Sequence, residues 1–215
     1  MTKFLKNKLL ILLEIMRRIN VLINMENKVR NADSVEKEYN TGSWLKFKSY
    51  IDSIKTSPFT IEDIIFPKNS KNYKIGSSNY SLRVTDSLVV LDEAQYLKFK
   101  SKKLASIFDS KDSNILELGC GYGRNLISLR YHGFTGQLYG IDISPTAVKL
   151  CNEISDYFKL SITAQVLDIK NIKEDTINKS LFDIVLIYQV LEQLPKDIEA
   201  ILYNVVHLFP NKKFF

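Results

Sequence analysis

The stretch Asn114–Asn125 reads NILELGCGYGRN. Four residues suited to a buried strand, Ile115–Leu118, run into three glycines, Gly119, Gly121 and Gly123, each separated by one residue. Arg124 and Asn125 then open a helical pattern. Glycine has no Cβ, so a chain bends tightly there and lets a ligand approach its backbone. A helix that follows such a bend offers unpaired N–H groups to an anion. Asp142 lies 23 residues after Gly119, at the end of the next strand-like run. A carboxylate at that position holds a ribose diol. The spacing therefore predicts a nucleoside ligand. Dinucleotide sites use G-x-G-x-x-G, whereas here the third glycine comes one residue early and Glu117 precedes the set.

Strand and helix alternate outward from this stretch. Runs at 115–118, 137–142, 162–168 and 182–188 read as strands, and 124–132, 145–158 and 197–208 as helices. His132-Gly133 closes the first helix as a glycine C-cap does, and Ser144-Pro145 supplies an N-cap followed by proline at the first helical position. The run FDIVLIY at 182–188 is almost unbroken in its apolar character, as expected of a parallel strand covered on both faces. The pattern predicts an α/β, doubly wound, mostly parallel sheet, with ligands at the carboxyl ends of its strands.

Four strings occur in order: LELGCGYGRN, GIDIS, VLDI and FDIVLIYQVLEQLP. Together they resemble the class I S-adenosylmethionine-dependent methyltransferases over about residues 112–209. The resemblance implies a Rossmann-like core and S-adenosylmethionine as cofactor. It implies that Glu117 and the loop of Gly119, Cys120, Gly121 and Gly123 hold the methionine end. Asp142 would take the ribose hydroxyls, with Ile143 against the adenine. Asp168 would accept from the adenine amino group beside the Ile169 backbone, and Tyr188 would face the sulfonium. Cys120 is expected there for its small size.

Many members of the family carry a histidine in an LEH segment after the fourth strand; this chain has LEQ, with Gln193 in that place. Glutamine takes no proton at neutral pH, so no catalytic base is assigned, and Glu192 is a candidate by location alone. No PPY-type segment follows the fourth strand, which weakens an amino-group methylase of DNA or protein. The expected acceptor is a small molecule, a glycan or a lipid-linked intermediate. RNA is the alternative, as is a degenerate module that binds without catalysis. The family sheet has seven strands and four precede PNKKFF, so the fold is expected to be incomplete at its C-terminus, with a sheet edge near 182–188 that invites self-association.

The N-terminal half differs. The chain has 215 residues and a formal charge of +6, with +7 in residues 1–110 and −1 in 111–215. A basic face meets RNA, acidic glycans or membrane phosphates, or is a plain solvated surface. Residues 3–30 read as a basic amphipathic helix, whose Leu5, Leu9, Leu12, Met16, Ile19 and Ile23 form one stripe. It is expected to dock on protein, with peripheral membrane contact as the other reading. No transmembrane segment is predicted there, because Glu14 interrupts the apolar run far short of ~18 residues. Residues 31–110 form an extension that would cap the acceptor site, with Tyr39, Trp44, Phe47, Tyr50, Tyr73 and Tyr80 as pocket or core aromatics. Within it, 81–91 reads as a strand or a short apolar turn and 92–108 as a helix, and the main boundary falls near residue 110. Cys120 and Cys151 make no zinc pattern with His132 or His207, so no metal is expected, and two unpaired thiols point to a reducing, cytoplasmic setting.

Overall fold

The computed structural model describes residues 37, 42, 44–54, 58–67, 80–84, 87–91, 93–194 and 196–215. The helix expected over 3–30, and Tyr39 and Tyr73, lie outside the described residues. Five strands make one parallel sheet: β3 (Ile115–Leu118), β4 (Leu138–Asp142), β5 (Ile162–Val166), β6 (Ile184–Ile187) and β7 (Lys213–Phe214), in the order β5-β4-β3-β6-β7. The chain lays β3, β4 and β5 outward in one direction, then returns to place β6 on the other side of β3. The order reverses between β3 and β6, and a crevice opens at the carboxyl ends of the strands.

Local chemistry explains the elements. All four residues of β3 are buried, and they pair on both sides, Ile115 with Leu138 and with Ile184. Helix α4 (Arg124–Tyr131) ends where Gly133 takes φ 84° and donates its N–H to the Arg130 carbonyl. Helix α5 (Pro145–Phe158) starts with the Ser144 side chain accepting from the Ala147 N–H at 3.2 Å. Helix α6 (Ile198–Leu208) covers one sheet face, packing Ile201, Leu202 and Val205 among Leu116, Leu118, Ile141 and Val185.

The opposite face is covered by α4, α5 and the segment ahead of residue 110. Helix α1 (Trp44–Ile54) presents Trp44, Phe47, Tyr50 and Ile51 at steps of three and four. Phe47, Tyr50 and Ile51 are buried, each worth ~1.5–3 kcal/mol on transfer from water. Helix α2 (Ile61–Ile65) adds Ile64 and Ile65 to the same cluster. Helix α3 (Glu93–Ser106) lies against α4 through Leu97, Ser101 and Leu104. The Ser101 hydroxyl meets the Ser128 hydroxyl at 2.5 Å and His132 Nε2 at 2.9 Å.

One expectation changes in detail. The run 81–91 holds two strands, β1 (Tyr80–Val84) and β2 (Ser87–Leu91), paired antiparallel from Tyr80 opposite Leu91 to Val84 opposite Ser87. Leu82 and Val84 in one half and Leu88 to Leu91 in the other read as one apolar run, which hides the reversal between them. The β6 strand stands next to the sheet edge, in keeping with the edge expected near 182–188. Phe215 N–H donates to the Val185 carbonyl at 3.1 Å and Ile187 N–H to the Phe215 carbonyl at 2.8 Å, so the short β7 segment covers that side. Among the described residues no helix is long and apolar enough to cross a membrane.

Candidate functional site

At the carboxyl ends of β3, β4 and β6 lies a cleft of about 270 Å³. Its floor is the glycine loop, fixed to the sheet by the Gly119 and Cys120 N–H groups, which donate to the Ile141 carbonyl at 2.8 and 2.9 Å. Gly119 has φ 76°, and a Cβ there would stand 2.2 Å from Val190 Cγ2. Gly121 has φ 55°, and its missing Cβ makes room for the Trp44 indole, whose Cη2 would be 2.9 Å away. Close approach at these glycines is thus required first by the protein's own side chains. Trp44 also packs edge-on against Tyr122, whose ring stacks on Phe47 at 4.0 Å between centroids. Helix α1 is the wall beside the loop.

Of the residues expected to bind, Glu117, Gly119, Cys120, Gly121, Asp142, Ile143, Asp168, Ile169 and Tyr188 line this cleft together. Gly123 does not. It caps α4 and packs on Cys151 below the loop. Cys120 turns its Sγ toward Gly140 and donates to the Gly121 carbonyl at 3.4 Å. A hydrogen bond with Cys151, together with burial, holds the Cys120 thiol well above its usual range, so it is an inert packing group.

The acids differ in kind. Glu117 is 1% exposed, and its Oε1 accepts from Asn125 Nδ2 at 2.6 Å. Among the described residues its Oε2 is buried without a partner. Burial pushes this carboxyl up to about 8, against the Asn125 hydrogen bond and with help from the nearby Asp142 charge. Asp142 is partly buried, and each of its oxygens accepts one backbone bond: Oδ2 from Gly121 N–H at 2.8 Å and Oδ1 from Ser144 N–H at 2.9 Å. Burial raises its pKa and those two backbone bonds oppose the rise. Asp168 caps the turn 169–171 through Lys170 N–H at 2.9 Å. Ile143, Leu167 and Ile169 form an apolar wall between the two aspartates.

Beyond β6, Gln189 takes φ 57°, a left-handed conformation uncommon outside glycine, and turns the chain back over the cleft. Gln193 lines the cleft, whereas Glu192 is exposed and stands outside its wall. Neither histidine lines it: His132 bonds Ser101 and His207 stacks on Tyr203. Several lining residues escaped the sequence reading. Asn125 was legible in principle, since it stands eight residues after Glu117 at the start of α4. Arg124, Gln189 and Val190 carried no such signal.

Sheet order, glycine loop and strand-end acids define an α/β nucleoside-binding fold. Residues 109–213 match the family described as "Methyltransferase domain". Over 99 residues, 45% of this chain, the sequence is 28% identical to methionine S-methyltransferase of Wollastonia biflora. The aligned part spans only 9% of that protein. Among solved structures, magnesium protoporphyrin IX methyltransferase of Synechocystis PCC 6803 with bound SAM is similar at a TM-score of 0.51 and 14% identity, covering 87% of this chain and 74% of that one. The cyclase SpnF is similar at a TM-score of 0.55 and 14% identity, covering 86% and 57%. A methyltransferase and a cyclase on one scaffold illustrate that fold alone does not name the chemistry. Residues 109–213 thus match a methyltransferase-domain family and carry the fold and motif order of the class I S-adenosylmethionine-dependent methyltransferases.

Proposed function

We propose that this chain binds S-adenosylmethionine in the main cleft and directs its methyl group to a small-molecule, glycan or lipid-linked acceptor, a small molecule foremost. The observation that carries the reading is the orphaned Oε2 of Glu117. A buried carboxyl oxygen without a partner is costly, and a cationic ligand group satisfies it by holding the carboxyl ionised. The α-ammonium of the methionine moiety is such a group. The donor set fits the rest of the cofactor: Asp142 keeps lone pairs for a ribose diol, Asp168 offers an acceptor to an adenine amino group, and Ile143, Leu167 and Ile169 supply an apolar slot.

When bound, the cofactor supplies a sulfonium-activated methyl group. The protein's part is then to hold the acceptor in line and exclude water, which supplies up to ~7–11 kcal/mol of barrier lowering. Tyr188 closes the β6 side and Trp44 the side of α1. Glu192 lies outside the wall and Gln193 takes no proton at neutral pH, so no residue is assigned as general base. This favours an acceptor that is already nucleophilic.

Calorimetric titration with S-adenosylhomocysteine and with NAD tests the cofactor assignment. Binding of the first and not the second is expected; the reverse sinks it. Labelled methyl groups offered with a cell extract should appear in the low-molecular-weight fraction. Label in RNA instead would overturn the acceptor class.

A further inference from the structure

A second chamber of about 40 Å³ opens behind the main cleft. The two share Arg124, Asn125, Tyr188 and Gln189 as walls. Lys100 of α3 lines the second chamber, where its Nζ donates to Gln189 Oε1 at 3.0 Å and lies 4.9 Å from the centre of the Tyr188 ring. Among the described residues Lys100 forms no ion pair. Arg124 stands in the dividing wall, its Nε donating to the Tyr122 hydroxyl. The carboxylate of Glu192 is felt by Lys100 only at a distance. Leu97, Leu104 and Ile65 complete an apolar back wall.

We propose that this chamber is an anion subsite for the methyl acceptor, in which Lys100 and Arg124 take a carboxylate and leave the nucleophile in the main cleft beside Tyr188. The inference rests on the reading of the main cleft as the cofactor site. Two cations share one small, half-apolar space. Burial, and then the Arg124 charge, pull the Lys100 ammonium below its usual range, and an arriving anion relieves both. Size sets the group. At ~10–15 Å³ for each water-sized occupant, the chamber holds about three, the heavy-atom count of a carboxylate. The acceptor class is therefore a small carboxylic acid rather than a neutral glycan or a nucleic acid.

The chain's one tryptophan, Trp44, lines the main cleft, so intrinsic fluorescence reports occupancy. Benzoate, its neutral isostere benzamide and inorganic phosphate are titrated at constant ionic strength, with and without S-adenosylhomocysteine. Benzoate should saturate and bind at least about tenfold tighter than benzamide, the size of one charge-assisted hydrogen bond. Lys100→Met and Arg124→Gln should each lose about tenfold for benzoate, while Lys102→Met, on the exposed side of α3, should not. Far-ultraviolet circular dichroism shows that each variant is folded, and calorimetry of the unaltered protein with S-adenosylhomocysteine tests the cofactor site. Equal affinity for benzoate and benzamide overturns the proposal, as does phosphate binding tighter than benzoate. Unchanged binding in both cation variants, or no saturable response in either condition, also overturns it. Intact S-adenosylhomocysteine binding alongside such a result leaves the cofactor reading standing, and its absence removes that reading separately.

Discussion

The main cleft and the chamber behind it are built by opposite means. The main cleft hangs on strand ends. Its acids are held by backbone N–H groups and by Asn125, and its floor is pinned to β4. The chamber behind it hangs on helix packing. Lys100 arrives from α3 and reaches Gln189 across 89 residues of sequence. Strand ends within one sheet are fixed by ladder hydrogen bonds. A helix is placed only by what it buries, so the chamber is the half of the site that changes with repacking. The difference teaches that the two cavities rest on separate physical supports, strand-end hydrogen bonds for the main cleft and helix packing for the chamber.

The largest effect should come from loosening the helical side. Phe47 is 1% exposed and stacks on Tyr122. Phe47→Ala should cost about 3–5 kcal/mol in urea unfolding and shift Trp44 emission to the red. A variant with unchanged midpoint would separate α1 from the cooperative unit and break the comparison.

Next comes Glu117. Its carboxyl sits at about 8 in the fold against an ordinary value of 4.5. The folded state therefore holds the proton more tightly than the unfolded chain. Stability is full below pH 4.5 and is lost as pH rises through 8. Without ligand, the protein should lose on the order of a few kcal/mol between pH 5 and 9. Glu117→Gln should flatten that slope, and a wild type whose unfolding midpoint ignores pH would contradict the buried assignment.

A smaller effect follows at Asp142. Asp142→Ala should weaken S-adenosylhomocysteine binding by about tenfold or more in calorimetry, while leaving the benzoate-to-benzamide ratio of the rear chamber unchanged. A change in both would show the two supports to be one. The smallest change is expected outside both regions. The Lys48–Asp52 pair at 2.6 Å is solvent-exposed on α1, and Lys48→Ala should move stability by about 0.5 kcal/mol or less.

Much of the strand-end half was legible before folding. Ser144-Pro145 set the start of α5, His132-Gly133 the end of α4, and Glu117 and Asp142 were singled out by their spacing from the glycines. The helical half was not. Trp44 could be named as a pocket aromatic or as core, but nothing in its neighbours said that it would fill the space above Gly121. Lys100 read as one basic residue among several. The β1–β2 reversal was also invisible, since it depends on a partner strand rather than on its own pattern.

What the sequence by itself determined is the local machinery: where strands end, how helices are capped, which turns are glycine and which acids follow them. Those features rest on interactions within a few residues, which composition and spacing record. Only the tertiary structure decided which side chains face one another across the cleft. Tyr122 meets the Ile64 carbonyl 58 residues away, and Lys100 meets Gln189 across 89. Contacts that distant are chosen by the packing of whole helices against the sheet, where buried apolar area outweighs any local preference.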